Sequence, residues 1–250
     1  MSLFKVLTVL FAGTAAGFIN TLAGGGSLIA MSALIFMGLP SAVANGTNRI
    51  AILIQNIVAV TNFRQKGFSD FKFSFKLSIP TIIGAVIGSN LAVDLPEALF
   101  NKILAGIMIL ILILIIVDPK EKMETTVEKL SSGRQLTAMV AFFFVGIYGG
   151  FIQGGVGFLF IITLSLITGF SLVKVNSIKV FVIAAYTIPS LAVFVINGKV
   201  AWLAGLILAV GNSLGAYLGS NFAVSKGDKW IKYILIIVIL AIAISLLLGA

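Results

Sequence analysis

The stretch Gly17–Ser27, GFINTLAGGGS, sets the strongest constraint on the fold. An apolar run of helical length enters it, three consecutive glycines interrupt it, and a second apolar run, Leu28–Leu39, leaves it. A soluble protein places a glycine triplet in a surface loop, but these flanks are too apolar for that. The chain is expected to break its helix inside a membrane. Backbone freed at that depth has to line a cavity or be buried in protein, because lipid cannot satisfy it. A second break follows at Gly150–Phe158, GFIQGGVGF. The chain therefore reads as two copies of one unit built around such a break.

Composition supports a membrane setting. Hydrophobic residues make up 60% of the chain and charged residues 10%, against about a quarter charged in a soluble domain. Long Leu/Ile/Val runs without two-residue alternation exclude an outer-membrane barrel, so the expected class is an all-α polytopic membrane protein. The first apolar run lacks a clear small-x-small cleavage site and has its echo mid-chain, so it is read as mature structure. There is no Cys and no His, which removes thiol chemistry and soft-metal sites; no cofactor or metal is expected. The net charge of +9 is scattered between apolar runs rather than massed on one face, which points to membrane orientation and an anionic cargo, not to nucleic acid.

Ten segments are expected, five in each half. The first half, residues 1–117, holds segments at Leu3–Ala23, Ser27–Leu39, Val43–Phe63, Leu77–Val93 and Leu99–Val117, with a basic loop carrying Arg64, Lys66, Lys72 and Lys76. A hydrophilic linker spans 118–134. The second half, 135–250, holds Leu136–Gln153, Phe158–Gly169, Lys174–Asn197, Ala201–Val224 and Ile231–Leu248. Segments two and seven are too short to cross the ~30 Å hydrocarbon core and are expected to be re-entrant, leaving eight full spans. An offset of 131 lays GAVIGSNLAV at Gly84–Val93 on GAYLGSNFAV at Gly215–Val224 with seven identities in ten, and pairs Asn45 with Asn176. An offset of 133 lays Gly13, Gly17, Phe18 and Ile19 on Gly146, Gly150, Phe151 and Ile152.

Counting each broken pair as two passes makes the halves inverted repeats. Thirteen Lys/Arg then fall on one side and four (Lys5, Arg49, Lys102, Lys199) on the other; counting each pair as one pass gives ten against seven. The positive-inside rule favours the inverted arrangement, with both termini outside and the linker in the cytoplasm. Inverted repeats with helices broken at the midplane are a signature of secondary transporters.

The candidate substrate-binding residues follow from the breaks. Gly24, Gly25 and Gly26, and Gly154, Gly155 and Gly157, each open a short helix whose first amides and dipole form an anion site, unless they only permit tight turns and close packing. Ser27 adds a hydroxyl. Asn20 and Gln153 occupy matching positions before the breaks, as substrate ligands or as partners of the freed backbone. Arg49 and Lys179 lie near the starts of segments three and eight, to attract the anion or to snorkel to the interface. Replacing Arg49 by Ala is expected to cut transport without unfolding the protein. Asn48 and Asn176, with Asn45, line the same vestibules or cap helices. Gln55 and Asn56 lie deeper and serve as helix glue or as part of the pathway. All eight acidic residues fall in predicted loops, so no intramembrane carboxylate is available as a proton relay. A hydrolase is not expected, since a nucleophile would have only a Ser–Lys dyad open to it.

Two long stretches carry a family likeness: GTAAGFINTLAGGGSLIAMSALIFMGLPSAVANGTNRIA from Gly13, and GIYGGFIQGGVGFLFIITLSLITGFSLVKVNSIKV from Gly146. With Gly198–Trp202 (GKVAW) and LGAYLGSNFAV, they resemble the TauE/SafE sulfite exporter family, also called the toluene-sulfonate uptake permeases. The resemblance covers nearly the whole chain. It implies a multi-pass protein of the bacterial inner membrane that carries sulfite, organosulfonates or related sulfur anions. Members often have a proline soon after the glycine triplet, where this chain has Ala30-Met31-Ser32. The expectation is therefore a transporter of a small sulfur-containing anion working by alternating access, with export favoured by the inside-negative potential. An anion channel of the same architecture, or a non-transporting membrane scaffold, are the alternatives. The expected partners are a small anionic substrate and the bilayer; oligomeric state, a homo-oligomer included, stays open.

Overall fold

The computed structural model describes residues 3–96, 98, 99, 102, 103, 106 and 131–247. Among these, eight helices and no strand are present: α1 Leu3–Leu22, α2 Gly26–Phe36, α3 Ser41–Gln65, α4 Phe71–Val93, α5 Ser132–Phe151, α6 Val156–Thr168, α7 Leu172–Ile196 and α8 Trp202–Leu247. Most of the expected segment at Leu99–Val117, and the linker as far as residue 130, lie outside the described residues. Five helices (α1, α4, α5, α7 and α8) are long and apolar enough to cross a membrane. Their outward faces carry Phe4, Phe11, Phe75, Phe144, Leu203, Val210 and Leu214, the apolar surface a bilayer requires.

The helix bounds depart from the sequence reading where local chemistry intervenes. Asp70 accepts from the Phe73 amide at 3.1 Å and caps α4, so Lys72 and Lys76 stand on a helix rather than in a loop. Ser131 caps α5 through Arg134 N in the same way, putting Arg134 in its first turn. The last two expected segments run together as α8, interrupted at Gly227 (φ 71°, ψ −170°), a backbone conformation closed to helix. The next residue, Asp228, accepts from the Leu172 and Val173 amides at 2.9 and 3.1 Å, capping α7. Asp228→Ala is expected to leave those donors unmet and cost about 1–2 kcal/mol, read as an earlier thermal midpoint in detergent.

Helix α3 is long but polar. Its Asn45, Asn48, Arg49, Gln55, Asn56 and Asn62 are all buried in protein, so lipid never meets them. Two glycine seams hold the long helices together. A Cβ on Gly17 would stand 2.1 Å from Asn212 O, and one on Gly215 would stand 2.0 Å from Thr14 O, which joins α1 to α8. A Cβ on Gly88 would stand 1.9 Å from Ile147 O, and one on Gly150 would stand 2.0 Å from Ala85 O, which joins α4 to α5. Along each seam the contacts advance together, from Gly13 on Leu208 O to Gly17 on Asn212 O and from Gly84 on Phe143 O to Gly88 on Ile147 O, so each pair is parallel. Such backbone approach is the packing that small residues allow in lipid. Each half thus lends its first helix to the other half.

Helices α3 and α7 run antiparallel. Arg49 meets Ser190; Ile52 and Gln55 share a cavity wall with Ile183; Val60 and Phe63 share another with Ser177 and Phe181.

Candidate substrate site

The two glycine breaks meet. Gly24, in the left-handed region at φ 92°, lies against Gly157, and a Cβ on either would stand 2.3 Å from backbone of the other. Beside this crossing is a small cavity lined by Asn20, Gly24, Ser27, Ile52, Gln55, Asn56, Gln153, Val156, Gly157 and Ile183. Its lining contains pairs that the repeat offsets make equivalent: Asn20 with Gln153 and Gly24 with Gly157 at 133, and Ile52 with Ile183 at 131. The free volume for a water-sized sphere is about 10 Å³, room for one water molecule. Any polyatomic solute is larger, so the centre is closed in this state.

The other glycines shape the breaks. Gly25 is the N-cap of α2, Gly26 lies against Ala16 O and folds α2 back along α1, and Gly155 caps α6 at φ 75°. The Gly154 carbonyl accepts from the Tyr148 hydroxyl at 2.5 Å. Asn20 is partly committed to structure: its Oδ1 accepts from Ser27 N at 3.1 Å, capping α2, and its Nδ2 donates to Ser27 Oγ at 3.0 Å. One of the amides expected to meet the anion is therefore already bound. Gln153 plays a different part, exchanging hydrogen bonds with the Tyr186 hydroxyl at 3.0 and 3.2 Å.

Both cations are deep inside and neither snorkels. Arg49, 0% exposed, donates through Nη1 to Ser190 Oγ at 2.6 Å and to Gly149 O and Gln153 Oε1 at 3.2 Å. Its Nη2 donates to Gly150 O at 2.5 Å, and Phe194 stacks 4.4 Å from its guanidinium carbon. Lys179, 1% exposed, donates to Asn20 O and Thr21 O at 3.0 Å and to Asn176 Oδ1 at 2.6 Å, and to no serine hydroxyl. Each cation thus grips the carbonyl end of the interrupted helix in the opposite half. That end carries the negative pole of the helix dipole, which is why a cation settles there. Asn45 and Asn176 reinforce the grips by donating to Phe151 O at 2.8 Å and Leu22 O at 3.1 Å. Asn48, one turn before Ile52, is fully buried and its amide makes no hydrogen bond to protein.

Several participants were not singled out from sequence. Tyr186, Asn212, Ser89 and Ser190 complete the buried network, with Asn212 Nδ2 donating to Gln55 Oε1 at 2.9 Å and Ser89 hydrogen-bonded to Ser190. The 131 offset carried a signal for Tyr186, since it falls on Gln55. Those two residues do the same thing in their halves, bonding Gln153 and Asn20 respectively.

Residues 9–246 match the family described as Sulfite exporter TauE/SafE. The chain belongs to this family. Similar proteins include the probable membrane transporter protein ORF9 of Sinorhizobium sp., 30% identical over 98% of this chain and 93% of its own. The probable membrane transporter protein YfcA of Escherichia coli K12 is 31% identical over 98% and 93%. A probable membrane transporter protein of Haemophilus influenzae is 29% identical over 93% and 91%. No solved structure matches the chain. Family membership makes it a multi-pass membrane transporter, with a small-molecule substrate and a lipid surround.

Proposed function

We propose that this transporter carries a small sulfur-containing oxyanion, such as sulfite or an organosulfonate, outward across a bacterial inner membrane by alternating access. The observation that carries the reading is the pair of buried cations, one from each half, beside a cavity lined by amide groups. Among the described residues neither is bonded to a carboxylate. Their hydrogen-bond partners are dipoles, which leave net positive charge near the centre of the protein. Such charge is costly to bury unless a counter-charge arrives, and an anion in the cavity would supply it. Asn48, Ser27, Gln153 and the amides at Gly24–Gly26 and Gly154–Gly157 would give it hydrogen bonds once the centre widens. The sulfur specificity comes from the family's name, not from this geometry.

The inverted-repeat reading has support from three directions. Helices α3 and α7, which the 131 offset makes equivalent, run antiparallel. Equivalent residues meet at Gly24 and Gly157. Setting buried Arg49 and Lys179 aside leaves twelve basic residues against three, a sharper bias toward a cytoplasmic linker. The moving bodies in this scheme are not the two sequence halves, because the glycine seams fasten α1 to α8 and α5 to α4. They are α1, α2, α3 and α8 against α4, α5, α6 and α7. An electrical driving force of about 2.3 kcal/mol per charge per 100 mV favours movement outward from a negative interior.

Proteoliposomes loaded with labelled sulfite, an aryl sulfonate or sulfate test this. A carrier gives flux that saturates and counterflow when unlabelled anion is placed opposite. Single-channel currents would replace the carrier by a channel, and no flux of any anion would remove the reading.

A further inference from the structure

In transporters with broken helices, the carbonyl end of a half-helix is where a coupling cation is held. In this chain that place at the end of α1 is taken by the protein's own ammonium. Lys179 Nζ donates to Asn20 O and Thr21 O at 3.0 Å and to Asn176 Oδ1 at 2.6 Å, so each of its three protons has an oxygen. The lysine stem comes from α7, the carbonyls from α1, and no solvent reaches the group. Asn20 also lines the cavity, so the charge lies close to where an anion would bind. Two main-chain oxygens and one amide oxygen around a buried monovalent charge form the ligand set of a hard monovalent cation.

We propose that Lys179 is a tethered counterion that permanently fills a monovalent-cation site at the end of α1, so that transport requires neither sodium nor potassium ions. The inference rests on the oxyanion-transport reading and adds its coupling. A tethered cation cannot dissociate, so it lends its charge to the anion in every cycle without a cation gradient. Arg49 occupies the corresponding place at the end of α5, holding Gly149 O and Gly150 O.

The test removes the tether and offers the free cation. Wild type and Lys179→Ala are unfolded thermally in detergent in choline, sodium or methylammonium chloride at equal ionic strength. The wild-type midpoint is expected to be the same in all three. The K179A midpoint is expected to fall, then to recover saturably by roughly 5 °C with methylammonium and less with sodium, whose bare ion prefers closer oxygens. Tetramethylammonium, lacking N–H donors, is expected to do nothing. A folded K179A indifferent to methylammonium would overturn the proposal, as would sodium-specific stabilisation of wild type. The wild-type arms decide the matter even if K179A fails to fold. Wild-type efflux of sulfite from proteoliposomes supplies the second readout, with equal rates expected in choline and sodium and a sodium requirement counting against the tether. Absence of all oxyanion flux would defeat the transport reading alone, leaving the thermal arms to judge the site.

Discussion

Arg49→Ala is expected to reduce oxyanion flux by about a hundredfold and to lower the thermal midpoint by roughly 10 °C. The side chain is wholly buried and supplies donors to two main-chain carbonyls, a serine and a glutamine at once. Alanine leaves those acceptors in a medium with no water to replace the guanidinium. Breaking a buried charged arrangement costs about 3–5 kcal/mol, and at this chain length each kcal/mol is worth about 2–4 °C. The flux term is separate and follows from removing one of two positive charges beside the cavity. Arg49→Lys keeps the charge but loses the planar fork, so it should retain more flux than alanine while recovering only part of the stability. Flux per folded molecule equal to wild type in R49A, measured in proteoliposomes after correction for reconstituted protein, would take Arg49 out of the anion pathway.

The second large effect is at the crossing of the breaks. Gly157→Ala places a methyl 2.3 Å from Gly24 Cα, and Gly24→Ala places one 2.3 Å from Gly157 C, with a left-handed backbone at φ 92° besides. Both obstacles are main chain, so no rotamer change can make room. Overpacking of this kind costs about 1–3 kcal/mol where side chains can move, and more where they cannot. Either variant is expected to fall sharply in folded yield after detergent extraction. Gly38→Ala is the control: its φ of 96° carries the same conformational strain, but a Cβ there meets nothing within 4 Å. Its cost should be about 1 kcal/mol. Equal yields for G157A and G38A would show that the breaks do not touch.

Much of this was legible before any coordinates, and the reason is chemical. Glycine clusters inside apolar runs have few explanations in a membrane, so the starts of the short helices after Gly25 and Gly155 could be placed within two residues, while the end of the first falls at Phe36 rather than Leu39. The shared GSN stretch is what suggested two copies of one unit. What sequence could not show is direction of contact. Arg49 and Lys179 were visible as isolated cations in polar starts of helices, but whether they faced water, lipid or carbonyls depends on partners about a hundred or more residues away. The stability cost of losing Arg49 was invisible for the same reason. Asn20 illustrates a further limit: the residue pointed to the break, yet its amide caps α2 in place of waiting for a ligand. Ser190 and Asn212 carried no local signal, lying beside other small polar residues (Thr187 and Ser213) in apolar helices of ordinary appearance.

The parallel seam between α1 and α8 also has a consequence for how the protein is made. The grooves at Gly13 and Gly17 have no partner until Gly211 and Gly215 have left the ribosome. At translation rates of about 5–20 residues per second, the first helix waits on the order of ten to forty seconds beside the wrong neighbours. Completion of the α1–α8 seam is therefore a late event, whereas the α4–α5 seam can close once residue 151 is made, and a chain stopped before α8 would leave the small-residue face of α1 unfilled.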